Sequence, residues 1–121
     1  MESQPSSAPK QEHREELRDV TSTARLFNFS RPVFLTPAVW DDCVAVTTNG
    51  GELTALRRLR HLLFMASSAL RNQVQDLECD FRIHRVANND PDQKPEPVNL
   101  RLIAHTDNEN QPIITIKFPE E

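Results

Sequence analysis

The spacing of apolar positions changes along the chain, and the change predicts the order of its elements. Between Glu52 and Asn72, Leu53, Leu56, Leu59, Leu63, Ala66 and Leu70 recur at three- and four-residue intervals, with Leu62, Phe64 and Met65 widening the stripe. That period predicts an amphipathic helix of roughly five turns. Beyond it the period falls to two. In LECDFRIHRV, Leu77, Cys79, Phe81 and Ile83 alternate with Glu78, Asp80, Arg82 and His84. In VNLRLIAH, Val98, Leu100, Leu102 and Ala104 alternate with Asn99, Arg101, Ile103 and His105; in PIITIKF, Ile114, Ile116 and Phe118 alternate with Ile113, Thr115 and Lys117. Three such runs predict an antiparallel meander with one face on the core, joined by a long Pro- and Asp-rich loop and then a shorter hairpin connection, TDNENQ.

The earlier third is less periodic. Thr21 or Ser22 is placed to cap a short helix reaching about Asn28. Pro32 has no amide hydrogen, so Val33 to Leu35 reads as a short strand or extended lead-in, at an edge or at a strand start. Thr36 and Pro37 then supply a capping hydroxyl and a first helical residue, predicting a helix to about Val46 with Val39, Cys43 and Val46 on one face and Trp40 alongside. TTNGG ends it. The first 14 residues hold no apolar side chain beyond Met1 and Ala8. They are expected to form a disordered tail, leaving 15–121 as a single α+β domain. The expected architecture has two layers: a three- or four-stranded antiparallel sheet, the long helix on one face, and one or two short helices.

Composition narrows the function more than it identifies it. With 121 residues the chain can bury one core without disulfides. Its two cysteines, Cys43 and Cys79, make no disulfide framework and are expected to be reduced and buried. A net charge of -4 carries no overall basic excess of the kind that drives non-specific nucleic-acid binding. The only glycines, Gly50 and Gly51, are adjacent, which removes both the dinucleotide fingerprint and the phosphate-binding loop. No run of about 18 apolar residues exists, so the expectation is a soluble, cytoplasmic protein.

Candidate chemistry is sparse. Asp41 and Asp42 project about 100° apart on a helix and do not face one substrate atom as a dyad must; they suit the positive end of a helix. Cys43 would need a base from His61, His84 or His105 to act as a nucleophile, and spacing places none beside it. The histidines and cysteines form no short-spacing metal motif. The one metal arrangement left open is His84 with His105, both on polar strand faces. No catalytic residue, metal or cofactor is therefore expected. The basic run Arg57, Arg58, Arg60 and His61 falls in the first half of the long helix, where the helix dipole gives it no support. Arg82, His84, Arg101, His105 and Lys117 fall on the outward face of the sheet, a surface suited to an acidic protein or to RNA, although without stacking aromatics.

The order of DVTSTARLFNFSRPVFLTPAVWDDCV, LRHLLFMASSALRN and VNLRLIAHTDNENQPIITIKFPEE resembles an uncharacterised bacterial domain family found in phage, plasmid and related mobile-element settings. Members carry a Leu-Thr-x-x-Val-Trp-x-Asp-Cys-like segment, a helical middle and a closing Pro-Ile/Val-Ile-Thr-Ile strand followed by Pro and acids. The likeness begins near residue 17 and is specific at its two ends; upstream, the Ser/Pro-rich tail stands where members extend the domain. It implies a setting and no catalytic residues. That setting implies a non-enzymatic protein that binds and occludes a host partner, such as a subunit of a defence complex, which would make it an anti-CRISPR inhibitor. Candidate partner-binding residues are Arg82, His84, Arg101, His105 and Lys117, or Asp41 and Asp42. The alternative is a small nucleic-acid-binding regulator using the basic helix or the sheet face. Partner identity and oligomeric state do not follow from the sequence.

Overall fold

A computed structural model describes residues 16–46, 51–71, 77–85 and 95–121. In chain order the elements are β1 (Arg18–Asp19), α1 (Thr21–Ala24) running into a 3-10 turn (Arg25–Phe27), and β2 (Val33–Leu35). Next come α2 (Pro37–Val39) with its π-helical continuation (Trp40–Val44), and α3 (Gly51–Arg71). The chain then forms β3 (Glu78–Arg85), β4 (Glu96–Thr106) and β5 (Pro112–Lys117). The tail over 1–14 and the TTNG of the first turn lie outside the described residues, as does most of the long loop before β4.

The fold is α+β in two layers, as the periodicity predicts, but the sheet is larger and mixed. Its strand order is β1-β2-β5-β4-β3. β3, β4 and β5 form the antiparallel meander, with Phe81 opposite Leu100 and Leu102 opposite Ile116. β2 runs parallel to β5, with Val33 beside Ile114 and Leu35 beside Ile116, and β1 closes the row antiparallel to β2. The Val33 to Leu35 segment is thus an interior strand, not an edge. Pro32 fits because its carbonyl, the one ladder group proline retains, accepts from Ile114 N at 2.9 Å, while Thr36 N donates to Ile116 O at 3.1 Å.

All three helices cover one face. Val33, Leu35, Leu100, Leu102, Ile114 and Ile116 on the sheet meet Val39 and Val44 from the second helix and Leu59, Leu62, Leu63 and Ala66 from α3. Thr36 caps α2 as its sequence predicts, its Oγ1 accepting from Val39 N at 3.3 Å. The first helix starts differently. Its cap is Val20 without a side-chain bond, and Asp19 Oδ1 instead accepts from Thr21 N at 2.9 Å. Thr21 turns its hydroxyl to β2, accepting from Val33 N at 3.0 Å. The helix after Thr36 does not stay α-helical: Ala45 N donates to Trp40 O at 2.8 Å, five residues back. That wider turn brings Val44 beneath Val39 and buries both, whereas Val46 is only half-buried.

The long helix begins at Gly51, close to its expected start. Its buried face is narrower than the apolar stripe, comprising Leu59, Leu62, Leu63, Ala66 and Ser67. Leu53, Leu56 and Phe64 are exposed. Among the described residues no helix is long and apolar enough to cross a membrane.

Candidate functional site

The outward face of the sheet holds the expected polar residues but does not assemble them into one free cationic patch. Arg101 Nε donates to Asp80 Oδ1 at 2.7 Å and its Nη2 to Oδ2 at 3.3 Å. These bonds hold the Asp80 carboxyl below, and the Arg101 guanidinium above, their ordinary values. Arg82 Nε donates to Asn99 Oδ1 at 3.1 Å, Lys117 Nζ to the main-chain oxygen of Glu121 at 2.8 Å, and His105 Nε2 lies 2.9 Å from Thr115 Oγ1. Arg101 and Lys117 are cross-strand neighbours, while His105 is opposite Ile113 at the other end of β4. There the face becomes a hollow of about 530 Å³ bounded by Leu17, Ile103, Ile113 and Thr115.

His84 is opposite Pro97, eight residues along β4 from His105. At about 3.3 Å per residue that is roughly 26 Å, so the two histidines cannot share a metal. The register corrects the one metal arrangement the sequence left open. Among the described residues no group of His, Cys, Asp and Glu is placed to hold a metal ion.

Asp41 and Asp42 part company as their spacing requires. Asp41 is exposed beside a shallow hollow with Trp40 and Arg18, whose guanidinium carbon lies 4.2 Å from the tryptophan ring centroid. Asp42 turns toward the sheet and accepts from Arg85 Nη1 at 3.1 Å; Arg85 Nη2 reaches Glu96 Oε1 at 3.3 Å. Cys43 lies under this network, its Sγ 3.8 Å from Asp42 Oδ2. Burial first, and then the Asp42 charge, push its thiol up to about 12. His61 and His84 do line the hollow above Cys43. The thiol nevertheless stays protonated at neutral pH, the reverse of what a nucleophile needs.

Two features of α3 stand out. One is its solvent face. Leu53 (59 % exposed), Arg57, Arg60 and Phe64 (51 % exposed) fall at i, i+4, i+7 and i+11 and form one stripe, with Leu56 and His61 at its margins. Phe64 is steadied by Phe27, edge to face, with ring centroids 6.4 Å apart. The other is a hollow of about 240 Å³ between the start of α3 and the end of β3, walled by Thr54, Arg57, Arg58, His61, His84 and Arg85. The helical basic run is visible in the sequence, but Arg85 is missed. Its signal is its phase: after Cys79, Phe81 and Ile83 it takes the next core-side position of a period-two strand, where a charge needs partners.

No protein-family model, curated protein or solved structure matches the chain.

Proposed function

We propose that the protein is a non-enzymatic binding protein that occludes a partner through the solvent face of α3. The observation that carries this reading is the stripe Leu53, Arg57, Arg60 and Phe64. Two large exposed apolar side chains bracket two guanidinium groups on a helix whose opposite face is fully committed to the core. A helix presenting apolar anchors about three turns apart fits a hydrophobic groove in another protein, and the arginines between them favour a groove with an acidic rim. The sheet-face cations Arg82, Arg101 and Lys117 already have partners within the chain, so they serve this role less well than the helix.

In the finer reading, which rests on the mobile-element resemblance, the partner is a host defence subunit and the protein is an anti-CRISPR inhibitor. The test is affinity capture with nuclease treatment, comparing the native chain with Leu53→Ala/Phe64→Ala and Arg60→Glu variants, beside phage plating on a host carrying CRISPR immunity. A stoichiometric, nuclease-resistant partner lost from both variants, together with restored plating by the native protein only, is the expected result. A partner retained by both variants would remove the α3 face from the binding site.

The second reading, a nucleic-acid-binding regulator, is favoured by the concentration of Arg57, Arg58, Arg60 and His61 on one helix. It requires affinity for DNA or RNA that falls steeply with salt.

A further inference from the structure

We infer that the outer edge of β3 is a dimerisation surface, on which the same strand of a second copy of this chain adds antiparallel and continues the sheet. This goes beyond the partner-binding role of the outer α3 stripe and does not rest on it.

The edge itself comes first. The two ends of the sheet are β1, of two residues, and β3, of eight. A two-residue edge offers little to another strand, whereas eight residues offer a long row of main-chain groups. β3 pairs with β4 residue for residue, from Glu78 opposite Ile103 to Arg85 opposite Glu96, so no bulge interrupts it. It contains neither proline nor lysine, two residues that commonly guard such an edge.

The hydrogen-bonding phase identifies the groups on offer. Ala104 N donates to Leu77 O at 2.7 Å, and the register continued by one residue sets these two opposite each other. In an antiparallel pair, residues that bond to the neighbouring strand alternate with residues that point their amide and carbonyl away from it. Cys79, Phe81, Ile83 and Arg85 therefore bond toward β4, while Glu78, Asp80, Arg82 and His84 turn their main-chain groups outward, where no described strand lies. The same four are the exposed residues of the strand.

Side-chain chemistry then selects the occupant. With a two-fold axis at Phe81, Asp80 stands opposite Arg82 of the partner subunit and Glu78 opposite His84 of the partner subunit, and symmetry repeats each relation. In this register every outward main-chain group finds its bond while each carboxylate meets a nitrogen-bearing side chain. A slip of two residues either way sets Arg82 or Asp80 against its own copy. A slip of one sets the buried side of one copy beside the exposed side of the other. Asp80 already accepts from Arg101, and Arg82 donates to Asn99; a carboxylate has room for a second donor, so the row continues across the interface. On the helix-covered side Cys79 meets Ile83 of the partner subunit. Leu77, 68 % exposed, falls opposite Arg85 of the partner subunit, whose aliphatic stem can cover it.

The test is sedimentation of the full chain over a wide range of concentration, joined to isotope-filtered NOE spectroscopy on a mixture of labelled and unlabelled chains. The mass is expected to rise from one chain to two with concentration, and a contact between the Cys79 and Ile83 Hα protons to appear between chains. Within one strand those protons are about 13 Å apart, beyond the reach of an NOE. Arg82→Glu sets a second carboxylate against Asp80 at both symmetric positions and is expected to weaken association at least about tenfold. Its circular dichroism spectrum should be unchanged because Arg82 is exposed. The NOE is read in the native chain, so it decides the question however the variant folds. One chain at every concentration, a dimer without the contact, or association unchanged in a folded variant would each overturn the edge pairing, as would a dimer whose chemical-shift changes centre on Leu53 and Phe64.

Discussion

Cys43 shows how neighbours decide the behaviour of a single side chain. It is 3 % exposed, Asp42 sits beside it, and the opposing pull of Arg85 and Arg58 is weaker than burial. In the unfolded chain the thiol titrates near its ordinary value of 9.0, and in the folded chain near 12. The sign follows: above pH 9 the unfolded state loses a proton that the native state keeps, so stability is fully present below pH 9 and declines as pH rises toward 12. Urea midpoints measured between pH 8 and pH 11 are expected to fall, and the fall should be shallower in Cys43→Ala. Below pH 9 the native thiol should resist alkylation until the chain is unfolded. The identity of this residue as a buried thiol is legible in the sequence, because its helical spacing from Val39 points it inward. The arginine partner of its neighbour is not. Asp42 and Arg85 are 43 residues apart, and no local pattern joins a helix carboxylate to a charge at a core-phase strand position.

At the level of the element, α3 has two faces with different duties. Leu62 is fully buried and Leu53 is largely exposed, although both belong to the same apolar pattern. Leu62→Ala is expected to cost about 2–5 kcal/mol, the usual range for a core leucine. Leu53→Ala should stay within about 0.5 kcal/mol. Chemical denaturation of both variants checks the pair; comparable losses would mean that the stripe around Leu53 is covered in solution. The sequence overstates the buried face because an apolar period reports which residues avoid water, not what avoids it with them. Leu53 and Leu56 precede Leu59, the first residue of the helix to be buried, and keep much of their surface in solvent. The helix at Trp40 is a second case. Its start is legible because Thr36 and Pro37 encode it locally, whereas its π turn is set by the requirement that Val44 reach the core, a tertiary demand that leaves no local mark.

For the whole molecule, the decisive contact is the parallel pairing of β2 with β5. The meander of β3, β4 and β5 is legible because each strand alternates and its neighbours follow in sequence. The β2–β5 pair joins Val33 to Ile114 across most of the described chain, and three residues, Val33 to Leu35, are too few to announce an interior strand. With β5 absent, β2 and β1 have no sheet to join, and Leu35 and Val33 lose their partners Ile116 and Ile114. A chain ending at residue 111 is therefore expected to show no cooperative unfolding transition and to lose the near-ultraviolet signal of Trp40, both measurable by circular dichroism.

The same pairing has a meaning for synthesis in the cell. A ribosome delivers residues in order at about 5–20 per second, and the strand that completes the sheet follows every other described element. Until that strand emerges, the first third of the nascent chain waits with its apolar side chains uncovered for about 4–16 seconds at those rates. A protein built this way depends on whatever holds such chains apart during the wait, and its yield should be governed by that interval more than by the stability of the finished fold.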